Sequence, residues 1–203
     1  MVAAPQFGGI VMTNAHIGLI GETAVKLKLL EMGWNAINLN DAIPNFKGAD
    51  LICIKDGETR MIQVKTSPSP NDNPNIMTGF VSDHEGNIKN LEEKVVCSWV
   101  FVHVRGVGTK AEYNFYILTR QEVIDLITTS NDWYVKRKKD TGKDIQIGLY
   151  LSWIRGIGYN PSAKDYHSYK SVIKEDSKDR WEKIFCTDNK KLTSSIINKT
   201  SRL

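Results

Sequence analysis

The clearest hydrophobic pattern near the start of the chain is helical and covers residues 14–32. Apolar side chains recur there at helical spacing and form one stripe, which consists of Ile17, Ile20, Ala24, Leu27 and Leu30. A second, semi-apolar stripe consists of Gly18, Glu22, Val25 and Leu29. The pattern predicts an amphipathic helix that ends at Gly33, with Glu22 directed along a semi-apolar face rather than into open solvent.

Six further segments predict β-strands, and they lie at 35–40, 50–55, 61–66, 97–104, 113–118 and 145–151. The dipeptide Asp56-Gly57 is a hairpin signal between the second and the third of these strands. Residues 67–75 are rich in Pro and Asn and predict a loop, whereas residues 78–94 are polar and weakly patterned.

Two more helices complete the predicted order of elements. Thr119 and Glu122 form a capping box before an apolar helical run, and Asp176 or Ser177 is the expected cap of a last helix near 180–185. Helices that alternate with short strands in this way predict an α/β fold, with a mixed central β-sheet flanked by helices.

Size and composition favour a single domain. The 203 residues are 41% hydrophobic and 25% charged, which is enough to bury a core. We expect that core at about residues 14–130, with a basic C-terminal extension at about 131–203. There is no run of about 18 apolar residues, so no membrane span is expected. The apolar N-terminus lacks the basic region of a signal peptide, and three widely spaced cysteines indicate neither disulfides nor zinc, so we expect a cytoplasmic protein.

The net charge of +4 is unevenly distributed. Residues 1–100 carry a net charge of −3 and residues 101–203 carry +7. The densest basic run consists of Lys136, Arg137, Lys138 and Lys139, and it follows two aromatic residues. Basic side chains beside aromatic ones suit phosphate contact and base stacking, so we expect these four residues to bind nucleic acid. An ordinary solvated loop is the alternative explanation.

The segment from Gly48 to Thr66 carries the most informative chemistry. Asp50 opens one predicted strand, and Gln63 and Lys65 lie two residues apart on the strand that pairs with it. Side chains alternate along a strand, so Gln63 and Lys65 share one face. A carboxylate, an amide oxygen and an ammonium group then converge on one surface, and Glu22 could add a second carboxylate.

This set of groups suits phosphodiester hydrolysis. Mg²⁺ binds oxygen ligands, commonly one or two carboxylates with water and phosphate. A metal ion so bound polarises phosphate and activates water, and a neighbouring lysine can stabilise the developing charge or orient the attacking water.

With these residues the chain resembles the PD-(D/E)XK nuclease superfamily. The signature of that family is an Asp at the start of one strand and (D/E)-x-K on the next, often with a Glu from the preceding helix. The matching residues here are Asp50, Gln63, Lys65 and Glu22. The resemblance covers about residues 14–119 and implies a restriction-endonuclease-like core. It further implies a catalytic site of these four residues, with Mg²⁺ (or Mn²⁺ as a substitute) held by Asp50, Gln63 and Glu22.

The resemblance also implies a function, which is metal-dependent endonuclease activity on DNA in restriction or repair. Such enzymes often act as homodimers, because a two-fold symmetric protein matches a duplex. The chain departs from the signature at Gln63, which replaces an acidic residue and so weakens the expected metal affinity. A non-catalytic nucleic-acid-binding module of the same fold is therefore the alternative, and a simple Asp50–Lys65 salt bridge in a structural protein is a third.

Overall fold

The computed structural model describes residues 6–7, 10–43, 46, 48–106, 110–135, 144–156 and 171–185. The β-strands are β1 (Gln6–Phe7), β2 (Ile10–Val11), β3 (Asn35–Asn38), β4 (Leu51–Lys55), β5 (Glu58–Pro68), β6 (Asn75–Ser82), β7 (Ser98–Arg105), β8 (Glu112–Leu118) and β9 (Ile145–Tyr150). The α-helices are α1 (Asn14–Glu31), α2 (Leu39–Ala42), α3 (Leu91–Lys94), α4 (Arg120–Val135) and α5 (Leu151–Arg155), and a 3₁₀-helix covers Trp181–Phe185.

A five-stranded mixed sheet forms the centre of the fold, in the order β3-β4-β5-β7-β8. β5 and β7 pair in parallel, and the other neighbours pair antiparallel. One face of the sheet packs against α1 and the 3₁₀-helix, and the other packs against α4, α5 and the β6–β9 pair. The prediction of an α/β fold with a mixed central sheet flanked by helices is confirmed.

The hairpin between β4 and β5 forms where the sequence predicted it. Lys55 pairs with Glu58, and the two residues between them have positive φ angles of 50° at Asp56 and 79° at Gly57. Positive φ at both central positions defines the tight turn that suits the twist of antiparallel strands, and Asp-Gly adopts it readily. The hairpin sets the register in which Leu51 faces Ile62.

The bounds of α1 agree with the prediction, but the buried face differs. Thr13 caps the helix by accepting a hydrogen bond from the backbone N–H of His16. The buried residues of α1 are Ile17, Gly21, Val25 and Leu29. In the first predicted stripe Ile17 is buried but Leu27 and Leu30 are exposed, because the helix turns its Gly21–Val25 side onto the sheet; Val25 and Leu29 of the second stripe are buried there.

Two strand predictions also need correction. β3 ends at Asn38 rather than at residue 40, because the Asn38 side chain accepts a hydrogen bond from the Asn40 backbone N–H and starts α2. β6 was missed within the segment expected to be polar. Its inward positions include Thr78 and Ser82 while Met77 is exposed, so the usual hydrophobic alternation of a strand is hidden.

The C-terminal half of the chain contributes elements to both faces of the sheet. The capping box of α4 is confirmed, since the Thr119 N–H donates to Glu122 and the Glu122 N–H donates to the Thr119 hydroxyl. β9 pairs with β6, and Trp181 packs under the sheet on the α1 side. The last predicted helix is a 3₁₀-helix, and neither expected cap serves it.

The side chains expected to cap that last helix have other partners. Asp176 forms an ion pair with Arg155, and the Ser177 hydroxyl donates to the Ile154 carbonyl. None of the helices in the described ranges combines the length and the hydrophobicity of a transmembrane segment.

Candidate active site

Asp50 is held firmly at the start of β4. Its backbone N–H donates to the Ile62 carbonyl at 2.8 Å, and its own carbonyl accepts from the Leu39 N–H at 2.8 Å. Gly48, two residues earlier, has a φ of +103°, and a Cβ there would lie 2.9 Å from a methyl carbon of Val96. The chain can therefore pass this close to Val96 only with glycine at position 48.

The Asp50 carboxylate points onto β5. Its Oδ2 accepts from the Val64 backbone N–H at 2.7 Å and from the Gln63 side-chain amide. Oδ1 has no hydrogen-bond donor among the described residues, so it is available to a further ligand. Burial raises the pKa of Asp50, although the Val64 N–H and the Lys65 charge oppose that rise.

Lys65 follows on the same face of β5 as Gln63. Its ammonium nitrogen lies 5.3 Å from the centre of the Trp99 ring, a distance typical of a cation–π contact. Burial lowers the pKa of Lys65, and the charges of Asp50 and Glu22 oppose that effect. Among the described residues Lys65 forms neither a hydrogen bond nor an ion pair, so the simple Asp50–Lys65 salt bridge is not what holds it.

Glu22 reaches this cluster from α1. Its Oε2 accepts from the Asn38 side-chain amide at 2.5 Å, and Oε1 has no described hydrogen-bond donor. Burial raises the pKa of Glu22, and repulsion from Asp50 and Asp41 adds to the rise. Sequence reasoning missed Asn38, whose amide orients Glu22. The only local signal for Asn38 in the sequence is that of a helix cap.

Close packing of α1 on β5 brings Glu22 to the sheet. A Cβ at Gly21 would lie 1.8 Å from the hydroxyl oxygen of Thr66, so only glycine allows this approach. The Thr66 hydroxyl is buried and has no hydrogen-bond partner in the described part of the chain. This contact fixes the position of α1 at Gly21, one residue before Glu22.

The structure thus brings together the four residues that the sequence singled out. Glu22, Asp50 and Lys65 influence one another electrostatically, and Gln63 is hydrogen-bonded to Asp50. The described residues contain no group of three or more His, Cys, Asp or Glu side chains that could enclose a metal ion. The site offers two carboxylates with uncommitted oxygens and an amide, a donor set that fits Mg²⁺ completed by water and phosphate.

The predicted nucleic-acid-binding residues are a different case. Lys136, Arg137, Lys138 and Lys139 all lie outside the described residues. Their role therefore stays a prediction from the sequence.

Comparisons with known proteins add little to this geometry. No protein-family model and no curated protein matches the chain. Among solved structures, the chain is similar to a bacterial homing endonuclease, I-Ssp6803I, with 17% sequence identity over 67% of this chain and 78% of that chain and a TM-score of 0.40. A likeness this distant carries no conclusion about chemistry, so the resemblance to PD-(D/E)XK nucleases rests on the site residues themselves.

Proposed function

We propose that this protein is a metal-dependent endonuclease that hydrolyses DNA phosphodiester bonds, of the restriction or repair type. One observation carries the proposal. The Asp50 carboxylate is anchored through Oδ2, its Oδ1 has no donor among the described residues, and its charge acts on both Glu22 and Lys65. Two half-buried carboxylates near a half-buried lysine are hard to explain as a stabilising arrangement, because burial opposes all three charges.

Asp50 and Glu22 would hold the metal ion, through oxygens that have no described hydrogen-bond donor. Gln63 would join them after its amide rotates by half a turn, which replaces its N–H by its carbonyl oxygen. The hydrogen bond that Gln63 donates to Asp50 would then be lost. Bound Mg²⁺ in such a site polarises a phosphate oxygen and makes water more acidic.

The remaining chemistry belongs to Lys65. Water would attack phosphorus and lose a proton to solvent as the new phosphorus–oxygen bond forms. The opposite phosphorus–oxygen bond would break, and the leaving sugar oxygen would take up a proton from solvent. Negative charge grows on the phosphate oxygens during this step. The Lys65 ammonium, held over the Trp99 ring, lies where it can neutralise that charge or orient the water.

Cleavage of supercoiled plasmid tests the proposal. We expect the full chain to cut it with Mg²⁺ or Mn²⁺, to stop in EDTA, and to lose cutting in the Asp50→Asn variant. Discrete fragments would indicate sequence-specific cutting, and nicks or smears a structure-specific or non-specific nuclease. Cutting that persists in Asp50→Asn would contradict the assignment of the site.

A non-catalytic DNA-binding module of the same fold is the second candidate. The observation that favours it is the amide of Gln63, which already donates a hydrogen bond to Oδ2 of Asp50 without any cation. DNA binding in a gel shift, with no cutting by the wild type in either metal, would select this candidate. The homodimer stays a prediction, which sedimentation of the full chain with and without DNA would test.

A further inference from the structure

Two further cations lie at the same end of the sheet as the candidate site, and neither belongs to the predicted catalytic set. They are Lys94, the last residue of α3, and Arg120, the first residue of α4. Lys94 is exposed and Arg120 is half-buried. Neither forms an ion pair with a described carboxylate.

A stacked aromatic pair connects Lys94 to the catalytic lysine. The Lys94 ammonium nitrogen lies 6.0 Å from the centre of the Phe80 ring. Phe80 stacks on Trp99 with ring centres 6.4 Å apart and an interplanar angle of 17°, and Trp99 in turn carries Lys65. Two lysines therefore sit at the two ends of one aromatic surface, which links the central sheet to β6.

The α3–β7 connection packs against the segment that leads into Asp50. Val96 fills the space left by the missing side chain of Gly48, and the Cys97 thiol donates to the Gly48 carbonyl at 3.4 Å. Arg120 joins the same connection by donating from its guanidinium to the Glu92 carbonyl at 2.7 Å. Trp99 pairs with Gln63 on one side and with Leu118 on the other, so Arg120, two residues after Leu118, lies at the same end of the sheet as Asp50.

Lys94 and Arg120 are candidates because of their position, and not because the segment around them has a positive net charge. The exposed carboxylates of Glu92 and Glu93 make the net charge of α3 negative. The Glu122 carboxylate is already engaged by Lys183 at 2.8 Å, so it does not neutralise Arg120. Lys94 and Arg120 thus keep their charge for an external anion.

We propose that Lys94 and Arg120 form a phosphate-binding rim that contacts the DNA backbone next to the scissile phosphate. This inference rests on the proposed function for the identity of the ligand. Because the contacts go to phosphate, the rim adds affinity without sequence preference, and its contribution falls as salt rises.

Binding measured in EDTA, where no cutting occurs, tests the rim separately from catalysis. We would titrate a fluorescently labelled DNA duplex with the full chain from about 50 to about 200 mM salt. The double variant Lys94→Gln, Arg120→Gln should bind more weakly, and the slope of log K against log salt should fall by about 2, since each phosphate contact contributes about 1. The charge-preserving pair Lys94→Arg, Arg120→Lys should keep the wild-type slope.

Lys110 provides the matched control. It is exposed and lies beyond the opposite end of β7, about 20 Å or more from Trp99 at a rise of about 3.3 Å per residue. Lys110→Gln should leave affinity and slope unchanged, and melting temperatures of all variants verify that they fold.

The outcomes separate the rim from the proposed function. An unchanged slope in the double variant, or a wild type that does not bind DNA, overturns the rim even if cutting is observed. A slope that falls by about 2 in a protein that never cuts supports the rim and rejects the nuclease.

Discussion

The β4–β5 hairpin carries a lysine over a tryptophan near each of its two ends, and the two lysines differ in what else surrounds them. Lys55, at the turn end, lies 5.8 Å from the centre of the Trp34 ring and donates to the Met32 carbonyl at 3.1 Å. That carbonyl belongs to the C-terminal cap of α1, where a cation is favourable. Lys55 therefore has a complete structural role.

Lys65 lies beyond the open end of the hairpin, opposite the turn. It has the ring contact but no hydrogen bond like that of Lys55. It lies 5.3 Å from the Trp99 ring centre, and two carboxylates act on it. The difference teaches that residue type and ring contact alone do not mark a functional lysine. What marks Lys65 is a half-buried ammonium on which two carboxylates act, but which forms no hydrogen bond with any described residue.

Replacing the two lysines in turn gives the largest expected contrast. Lys65→Met should reduce plasmid cutting by about 100-fold or more, which is typical for loss of one group that stabilises transition-state charge. Lys55→Met should keep cutting within about twofold but lower the melting temperature, because it loses a hydrogen bond worth about 1 kcal/mol. Equal activity losses in the two variants would contradict the assignment of a structural role to Lys55 and a functional role to Lys65.

The packing of α1 at the open end predicts the next largest effect. Gly21→Ala places a methyl group on the Thr66 hydroxyl and should destabilise the protein by about 1–3 kcal/mol. Gly18→Ala is the matched control: its new methyl would meet nothing closer than 3.9 Å, so it should stabilise the helix by up to about 1 kcal/mol. Urea unfolding measures both, and Thr66→Ala should restore part of the loss in Gly21→Ala.

A substitution at Gln63 tests the open end of the hairpin alone, because it changes the contact with Asp50 and leaves the Lys55 end unaltered. Gln63→Glu puts a second carboxylate against Asp50, so the metal-free protein should lose about 1–2 kcal/mol of stability near pH 8. Mn²⁺ should bind this variant more tightly than the wild type, since an acidic ligand replaces an amide. Melting curves in EDTA and in Mn²⁺ measure both effects, and a variant as stable as the wild type in EDTA would contradict the contact between Gln63 and Asp50.

The pH dependence of metal stabilisation is the smallest expected effect. Burial raises the pKa of Asp50 and of Glu22 above the values of about 4 found in unfolded chains. Their contribution to stability is therefore complete below about pH 4 and is lost as pH rises through the raised pKa values. Mn²⁺ relieves this loss, so it should raise the melting temperature more at about pH 8 than at about pH 5. Asp50→Asn should flatten that difference.

The grouping of the candidate site residues could be predicted because their relation is local. Asp50, Gln63 and Lys65 lie on two strands joined by a tight Asp-Gly turn, so alternation and register alone place them together. Glu22 required only that a helix precede the strands. The partners that shape the site, Asn38 and Trp99, were not identified because their contacts are tertiary.

The errors have equally physical origins. Both faces of α1 carry apolar side chains, and the choice between them depends on how closely the helix approaches Thr66, which no periodicity reports. β6 has hydroxyl side chains at inward positions, where Thr78 donates to the Ile147 carbonyl of β9 at 2.7 Å. Its partner strand is almost 70 residues away, so the pairing that stabilises it leaves no local signal.

Binding of Mn²⁺ to the full chain tests the central claim most directly, because it reports on the metal site without requiring the right DNA. Titration followed by electron paramagnetic resonance should reveal a site in the wild type and in Lys55→Met, and that site should be lost in Asp50→Asn. A wild type that binds no Mn²⁺, or an Asp50→Asn variant that binds it equally well, would contradict a metal centre at the open end of the hairpin.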